Sequence, residues 1–353
     1  MSEERSLEET PFYGGQAVLE GVMMRAPRHM AVAVRKPDGD IVVHKEELVT
    51  FAMRHKWARW PFLRGTFALV EALVLGIRSL NFSAEVAAAA ELEAAGQAEQ
   101  AQGEAAEERA LSPWALAATM AAALGLGIGL FVLAPTYAAD LLLRGGVLEQ
   151  SEAGTTGLAR WVSPAVLKNL VEGVLRLLVI VGYIASVSFL GHIRRVFEYH
   201  GAEHKVIHAY EAGRDLEAEG VGAAAGYSAA HPRCGTAFLL LVIVIKVIVS
   251  LFLGWPTWWL RAISRVAMLP LIAGIAYELT RAAGKHKDSR FWRALMAPGL
   301  WLQALTTREP DEKQIEVAQA ALTAVQEASG GEPRAAVAGG SQGVPVKVGP
   351  QGK

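Results

Sequence analysis

Long apolar runs separated by short polar ones set the class of this chain. A helix needs about 20 mostly apolar residues to cross a bilayer core. Four stretches approach that length: Pro113–Ala138, without a charge; about Leu170–His192, ending VLRLLVIVGYIASVSFLGH; about Ala237–Gly254, AFLLLVIVIKVIVSLFLG; and about Ala262–Tyr277, AISRVAMLPLIAGIAY, with Arg265 near one end. The first and third are apolar all round, which suits lipid better than the surface of a soluble domain. The pattern predicts a mainly α, polytopic helical membrane protein with about four transmembrane helices.

Ahead of these runs the period changes. Residues 12–56 read as a small β-rich unit. Its clearest part is AVAVRKPDGDIVVH, two β-branched runs joined around Pro37-Asp38-Gly39, a hairpin signal. Residues 57–84 return to helical period. Arg64, Glu71 and Arg78 lie seven apart and share one face of an otherwise apolar helix, so this helix is expected to lie in the membrane interface rather than form a fifth span. Residues 85–112, rich in Ala, Glu and Gln, are expected to be a linker or solvated helix. The transmembrane region is placed at 113–282, with a polar, His-rich loop at 193–235. An interfacial helix broken near Pro298-Gly299 and a short acidic helix fill 283–328. Residues 1–11 and the Gly-rich tail 329–353 are expected to be disordered.

Charge then orients the array. Between the first two spans, the loop at about 139–165 holds only Arg144 and Arg160 as basic residues, whereas Arg194, Arg195, Lys205, Arg214 and Arg233 lie between the second and third. Arg281, Lys285, Lys287, Arg290 and Arg293 follow the fourth. Basic residues mark the cytoplasmic side, so both termini and the 193–235 loop are expected inside, in a bacterial inner membrane. Trp255, Trp258 and Trp259 suit the outer aromatic belt. A net charge of −1 gives no argument for nucleic acid. The single cysteine, Cys234, excludes an intrachain disulfide, and the acidic N-terminus lacks the blocks of a signal peptide. The lipid bilayer is the expected partner, and a homo-oligomer is compatible with it.

The chemistry concentrates in FEYHGAEHKVIHAYE, residues 197–211, which holds three of the nine histidines. On a helix, His200, His204 and His208 share one face. The order His200-x-x-Glu203-His204 matches the inverted zincin pattern, in which two histidines hold zinc and the glutamate activates water. The bland alternative is a solvated helix whose histidines are satisfied by carboxylates. A second group follows in HPRCGT: His231 and Cys234, three apart, can ligate one metal, and thiolate with imidazole favours zinc. Cys234 can equally be a small residue at a helix start, and Arg233 a positive-inside anchor rather than a catalytic group. Glu278, in AYELTR, can complete a His–His–Glu set or pair with Arg281. Lys246, mid-span, and Glu172 read as a packing ion pair more readily than as an ion pathway.

Four strings, YGGQAVLEGVMMRAP, FEYHGAEHKVIHAYE, HPRCGT and LQALTTREPDEKQIEVA, occur in order across residues 12–325. Together they resemble the YqhQ-like family of bacterial membrane proteins, a domain of unknown function often described as predicted metal-dependent enzymes. The resemblance implies that Gly14, Gly15, Glu20, Met23, Met24, Arg25, Pro61, Phe62, Arg64, Gly65, Glu198, Thr236, Gly235 and Gln303 occupy family positions. So do His200, Glu203, His204, His231, Arg233, Cys234 and Glu278. It supplies no substrate. Residues and resemblance together lead to an expected cytoplasm-facing metalloenzyme of hydrolase type. His200, His204 and a third ligand from His231, Cys234 or Glu278 would hold a divalent metal, zinc by ligand type. Glu203 would be the general base, and Arg233 would meet developing negative charge. A membrane scaffold or assembly factor with a structural metal is the alternative. A transporter built on Lys246 and Glu172 is the third, disfavoured by the lack of internal repeats.

Overall fold

A computed structural model of the chain describes residues 13–94, 113–144, 164–231, 234–254, 257–286, 289–330 and 347–348. Four strands open it: β1 (Gly14–Val18), β2 (Gly21–Arg25), β3 (His29–Arg35) and β4 (Ile41–Glu47). They form an antiparallel meander, with Gly14 opposite Arg25, Arg25 opposite Met30 and Arg35 opposite Ile41. The expected hairpin is β3–β4. Gly39 holds φ +98° in its turn, a conformation that glycine adopts without steric cost. A two-residue strand, β5 (Lys347–Val348), adds to the β4 edge in parallel.

The helices follow in order. They are α1 (Phe51–Arg54), a 3-10 turn at Lys56–Arg59, α2 (Leu63–Ala94), α3 (Pro113–Ile128), a π turn at Gly129–Leu133, α4 (Ala134–Arg144), α5 (Pro164–Val187) and α6 (Gly191–Glu211). Then come α7 (Leu216–Glu219), α8 (Gly222–Ala225), α9 (Gly235–Phe252), α10 (Trp258–Ala267), α11 (Leu269–Lys285), α12 (Arg290–Thr306) and α13 (Glu312–Ala328). The His-bearing segment is thus not a loop but most of a 21-residue helix. A capping box between Asp311 and Gln314 fixes the start of α13.

Strand alternation sends side chains to both faces of the sheet, and both faces are covered. Val22, Met24, Ala31, Ala33 and Val43 pack with Tyr199, Ala202 and Val206 of α6 and with Ile315, Ala318 and Leu322 of α13. On the other face Val18, Met23, Met30, Val32 and Val34 meet Leu75, Phe82 and Val86 of α2. Arg35–Glu316 and Lys45–Glu327 ion pairs, each 2.5 Å, frame the first contact.

Five helical stretches are long and apolar enough to cross a bilayer by length and composition: Leu63–Glu93, Ala121–Leu143, Ala165–Val187, Gly235–Phe252 and Trp259–Ala283. Four had been expected; the fifth is α2. The fourth expected span is two helices meeting at Met268, just before Pro270. Buried among the last four of the five stretches lies Glu172, 1% exposed. It accepts hydrogen bonds from Arg176 at 2.6 Å, Lys246 at 3.3 Å and Arg265 at 2.5 Å. The expected Lys246–Glu172 pair is therefore one arm of a larger cluster. Arg176 also donates to the Phe131 carbonyl at 2.9 Å, in the π turn, where the regular helical bonding is interrupted.

Candidate functional site

His200 and His204 stand one turn apart on α6, and their rings are 4.4 Å apart between centroids. His200 Nδ1 lies 2.8 Å from the Thr306 carbonyl and His204 Nδ1 lies 2.5 Å from the Ala229 carbonyl. A carbonyl only accepts, so each Nδ1 carries the donated proton and each Nε2 is left for another partner. His200 Nε2 is 3.1 Å from Cys234 Sγ. The ligand atoms of His200, His204 and Cys234 all lie within 4.8 Å of one another, the one such three-residue group of metal-ligating type among the described residues.

Cys234 reaches this point because it caps α9. Its sulfur accepts from the Thr236 N–H at 3.4 Å and sits 3.2 Å from the Thr236 hydroxyl. The site therefore lies at the very start of an apolar, membrane-length helix. The loop before it is clamped by α12: the His231 N–H donates to Gln303 Oε1 at 2.7 Å, and Gln303 Nε2 donates to the His231 carbonyl at 3.1 Å.

Glu203 lies beside the pair and is buried. The Gly15 N–H of β1 donates to its carboxylate, and a methyl on Gly15 would sit 2.8 Å from that carboxyl and 2.7 Å from the Met23 carbonyl. Oε2 of Glu203 has no hydrogen-bond partner among the described residues. Burial pushes the Glu203 pKa up, against the pull of His204 and His200. Burial alone would also raise the Cys234 thiol, but hydrogen bonds to His200 and His204 outweigh it and hold the thiol at about 4. Burial would lower His200, yet its contact with the Cys234 sulfur pushes it up to about 9. Without a bound cation, the favoured state is a thiolate facing an imidazolium.

The other candidates are distributed differently. His231 stands behind the trio, its ring 5.7 Å from His204 and 4.5 Å from His208, with Nε2 3.8 Å from Glu211. Burial pushes its pKa down, partly offset by Glu211. His208 turns Nε2 to the Ala230 carbonyl at 2.9 Å. Glu278 is not in the group: its carboxylate takes the Arg64 guanidinium on both oxygens, one at 2.6 Å, and the Phe62 N–H at 3.4 Å. Neither the expected partner Arg281 nor a histidine fills that place, because α2 crosses α11 there. Arg233 lies outside the described residues. Sequence reasoning passed over Thr306 and Ala229, which act through backbone carbonyls; Gly15 was visible as a family position, but not its contact with Glu203. Gln303 was visible as a family position, and a glutamine inside the apolar run of LWLQAL was its physical signal.

Residues 60–328 match the family described as "Protein of unknown function (DUF1385)". The chain is also 35% identical over 311 residues to "Uncharacterized protein YqhQ" of Bacillus subtilis (strain 168), covering 87% of this chain and 90% of the relative. The chain belongs to the DUF1385 family. All of His200, Glu203, His204, His231 and Cys234 fall within the DUF1385 match, as do α12 and α13. The sheet that supplies Gly15 precedes that match. No solved structure matches the chain.

Proposed function

We propose that this chain is a membrane-bound, zinc-dependent enzyme of hydrolase type, with its site on the cytoplasmic face. The observation that carries this reading is the orientation of His200 and His204. Metal-binding histidines usually donate the second ring N–H to a carbonyl or carboxylate, and both do so, toward one thiol. Tetrahedral zinc at about 2.0–2.3 Å from nitrogen and sulfur asks for ligand atoms about 3.3–3.6 Å apart, and the His200–Cys234 distance of 3.1 Å needs only a small adjustment.

Three protein ligands leave a fourth position open, the pattern of catalytic zinc sites. Zinc held there supplies Lewis acidity toward a substrate oxygen. Glu203 takes the proton of the attacking nucleophile at Oε2, the oxygen without a protein partner among the described residues. Its raised pKa suits a base working near neutrality. Arg233, next to Cys234 in sequence, is the candidate to meet negative charge on the substrate. The competing reading is a structural site in a scaffold protein, closed when His231 swings toward His204 as a fourth ligand.

Elemental analysis of the purified full chain tests the first step. About one zinc per chain is expected, lost in His200→Ala and Cys234→Ala. Glu203→Gln keeps the metal and fails to restore function in cells lacking the protein. A metal-free wild type ends the zinc reading. A Glu203→Gln variant with metal and full function favours the scaffold.

A further inference from the structure

The segment Arg54–Arg64, RHKWARWPFLR, carries four Lys or Arg and one His, and no Asp or Glu occurs between Glu47 and Glu71. Arg54, Lys56 and Arg59 are exposed, and so are Trp57 at 45%, Trp60 at 63% and Phe62 at 48%. The segment is not a loose tether. Phe51 stacks on Phe67 of α2 at 4.9 Å, Trp57 meets the same ring edge-on at 5.2 Å, and the Phe51 N–H donates to Glu71 at 2.8 Å.

Just beyond, α2 shows an apolar face that none of the described residues covers. Leu69, Val70, Leu73, Val74, Ile77 and Leu80 are each 39–64% exposed, and at about 100° per residue they fall in an arc of about 140°. The opposite arc, with Leu75, Ser79 and Phe82, packs on the sheet. The basic and aromatic segment borders the exposed arc through Phe67 and Glu71.

At its start, α2 rests on α11, where the Thr66 hydroxyl donates to the Pro270 carbonyl at 2.9 Å. Its first turn crosses α11 at Gly65 and Gly274, where added methyls would lie 2.5 Å from Tyr277 and 2.1 Å from the Phe62 carbonyl. Arg64 bonds Glu278, where charged residues begin at the end of α11. The later turns lie against the sheet, which holds Glu203 beside Cys234 at the start of α9. The candidate spans Gly235–Phe252 and Trp259–Ala283 are consecutive; two consecutive crossings would bring the start of α9 and the finish of α11 to one side.

We propose that α2 does not cross the bilayer but lies along it, and that Arg54–Trp60 with the exposed α2 arc forms a docking surface for anionic phospholipid headgroups in the leaflet on the sheet side. The apolar arc enters the acyl boundary, the two tryptophans sit at the headgroup level, and the basic side chains meet lipid phosphates. This depends on the membrane reading and not on the metal.

Cysteines introduced one at a time at Lys56 and Ala89, with the wild-type chain and its buried Cys234 as the background, are probed with an impermeant maleimide in intact cells and in inside-out vesicles to test the placement. Both are expected to react from the same side, and reaction from opposite sides overturns it. Full chain in nanodiscs of phosphatidylcholine with phosphatidylglycerol tests the lipid. Wild type is expected to retain phosphatidylglycerol through detergent extraction and native mass spectrometry. An R54Q/K56Q/R59Q variant retains roughly tenfold less at low salt with unchanged zinc content. Equal retention, or retention of phosphatidylcholine alone, overturns the headgroup assignment.

Discussion

Glu203 and Cys234 face each other across two histidines, and the pH response of that group is set by burial and contact. In metal-depleted protein the thiol is held at about 4 and His200 raised to about 9. A depressed group stabilises the fold above its unfolded pKa and loses that contribution as pH falls toward its folded value. A raised group does the opposite, losing its contribution as pH rises through its folded value. From about 6.5 to 9 the two trends oppose each other; below about 6.5 the thiol alone of this pair still changes, while Glu203, raised by burial, gains stability on acidification and His231, lowered by burial, loses it. On acidification from pH about 6.5 toward 4, the melting temperature of the metal-free chain is therefore expected to fall more in wild type than in Cys234→Ala, the difference being the thiol's share. Equal slopes by differential scanning fluorimetry contradict the paired thiolate.

At the scale of elements, α6 and α12 build the site together. α6 supplies His200, Glu203 and His204, while the end of α12 supplies the Thr306 carbonyl and the Gln303 clamp on His231. Gln303→Leu removes both side-chain hydrogen bonds to the His231 backbone; the carbonyl still accepts from the Cys234 N–H at 3.3 Å, so the cost is mainly that of the N–H losing its Gln303 acceptor, about 1–3 kcal/mol. Such a variant is expected to melt several degrees lower and to bind zinc more weakly, because the loop carrying Cys234 loses its anchor. Unchanged metal affinity would make Gln303 a packing residue only. The helical face of α6 was legible because His200-x-x-Glu203-His204 depends on a spacing of three and four. The hairpin was legible from Pro37-Asp38-Gly39, and Cys234 as a helix start from the apolar run behind it. The third position of the trio was not legible, since His231 and Cys234 are equally near in sequence and only the fold aims the sulfur inward. Nor was the Arg64–Glu278 pair, made by residues 214 apart. A backbone carbonyl such as Thr306 has no signature of its own.

The membrane region as a whole is organised around a single carboxylate. Glu172 collects Arg176, Lys246 and Arg265 from three helices, with Asn169 bonding Arg265 at 2.9 Å. Removing one member of a buried ion group costs about 3–5 kcal/mol when it strands opposite charge. Glu172→Gln strands three cations and is expected to melt far lower in detergent. Lys246→Met leaves Glu172 with two arginines and is expected to melt within a few degrees of wild type, with growth unaffected. A large loss of function in folded Lys246→Met would revive transport as a reading.

The contact of α13 with the first strands reaches across nearly the whole chain, as Arg35 bonds Glu316, 281 positions later. During synthesis the sheet must therefore wait, with one greasy side bare, until every bilayer segment has been inserted and residues 312–328 have cleared the ribosome. Prolonged exposure of that face during synthesis follows from where the polypeptide keeps its closing piece.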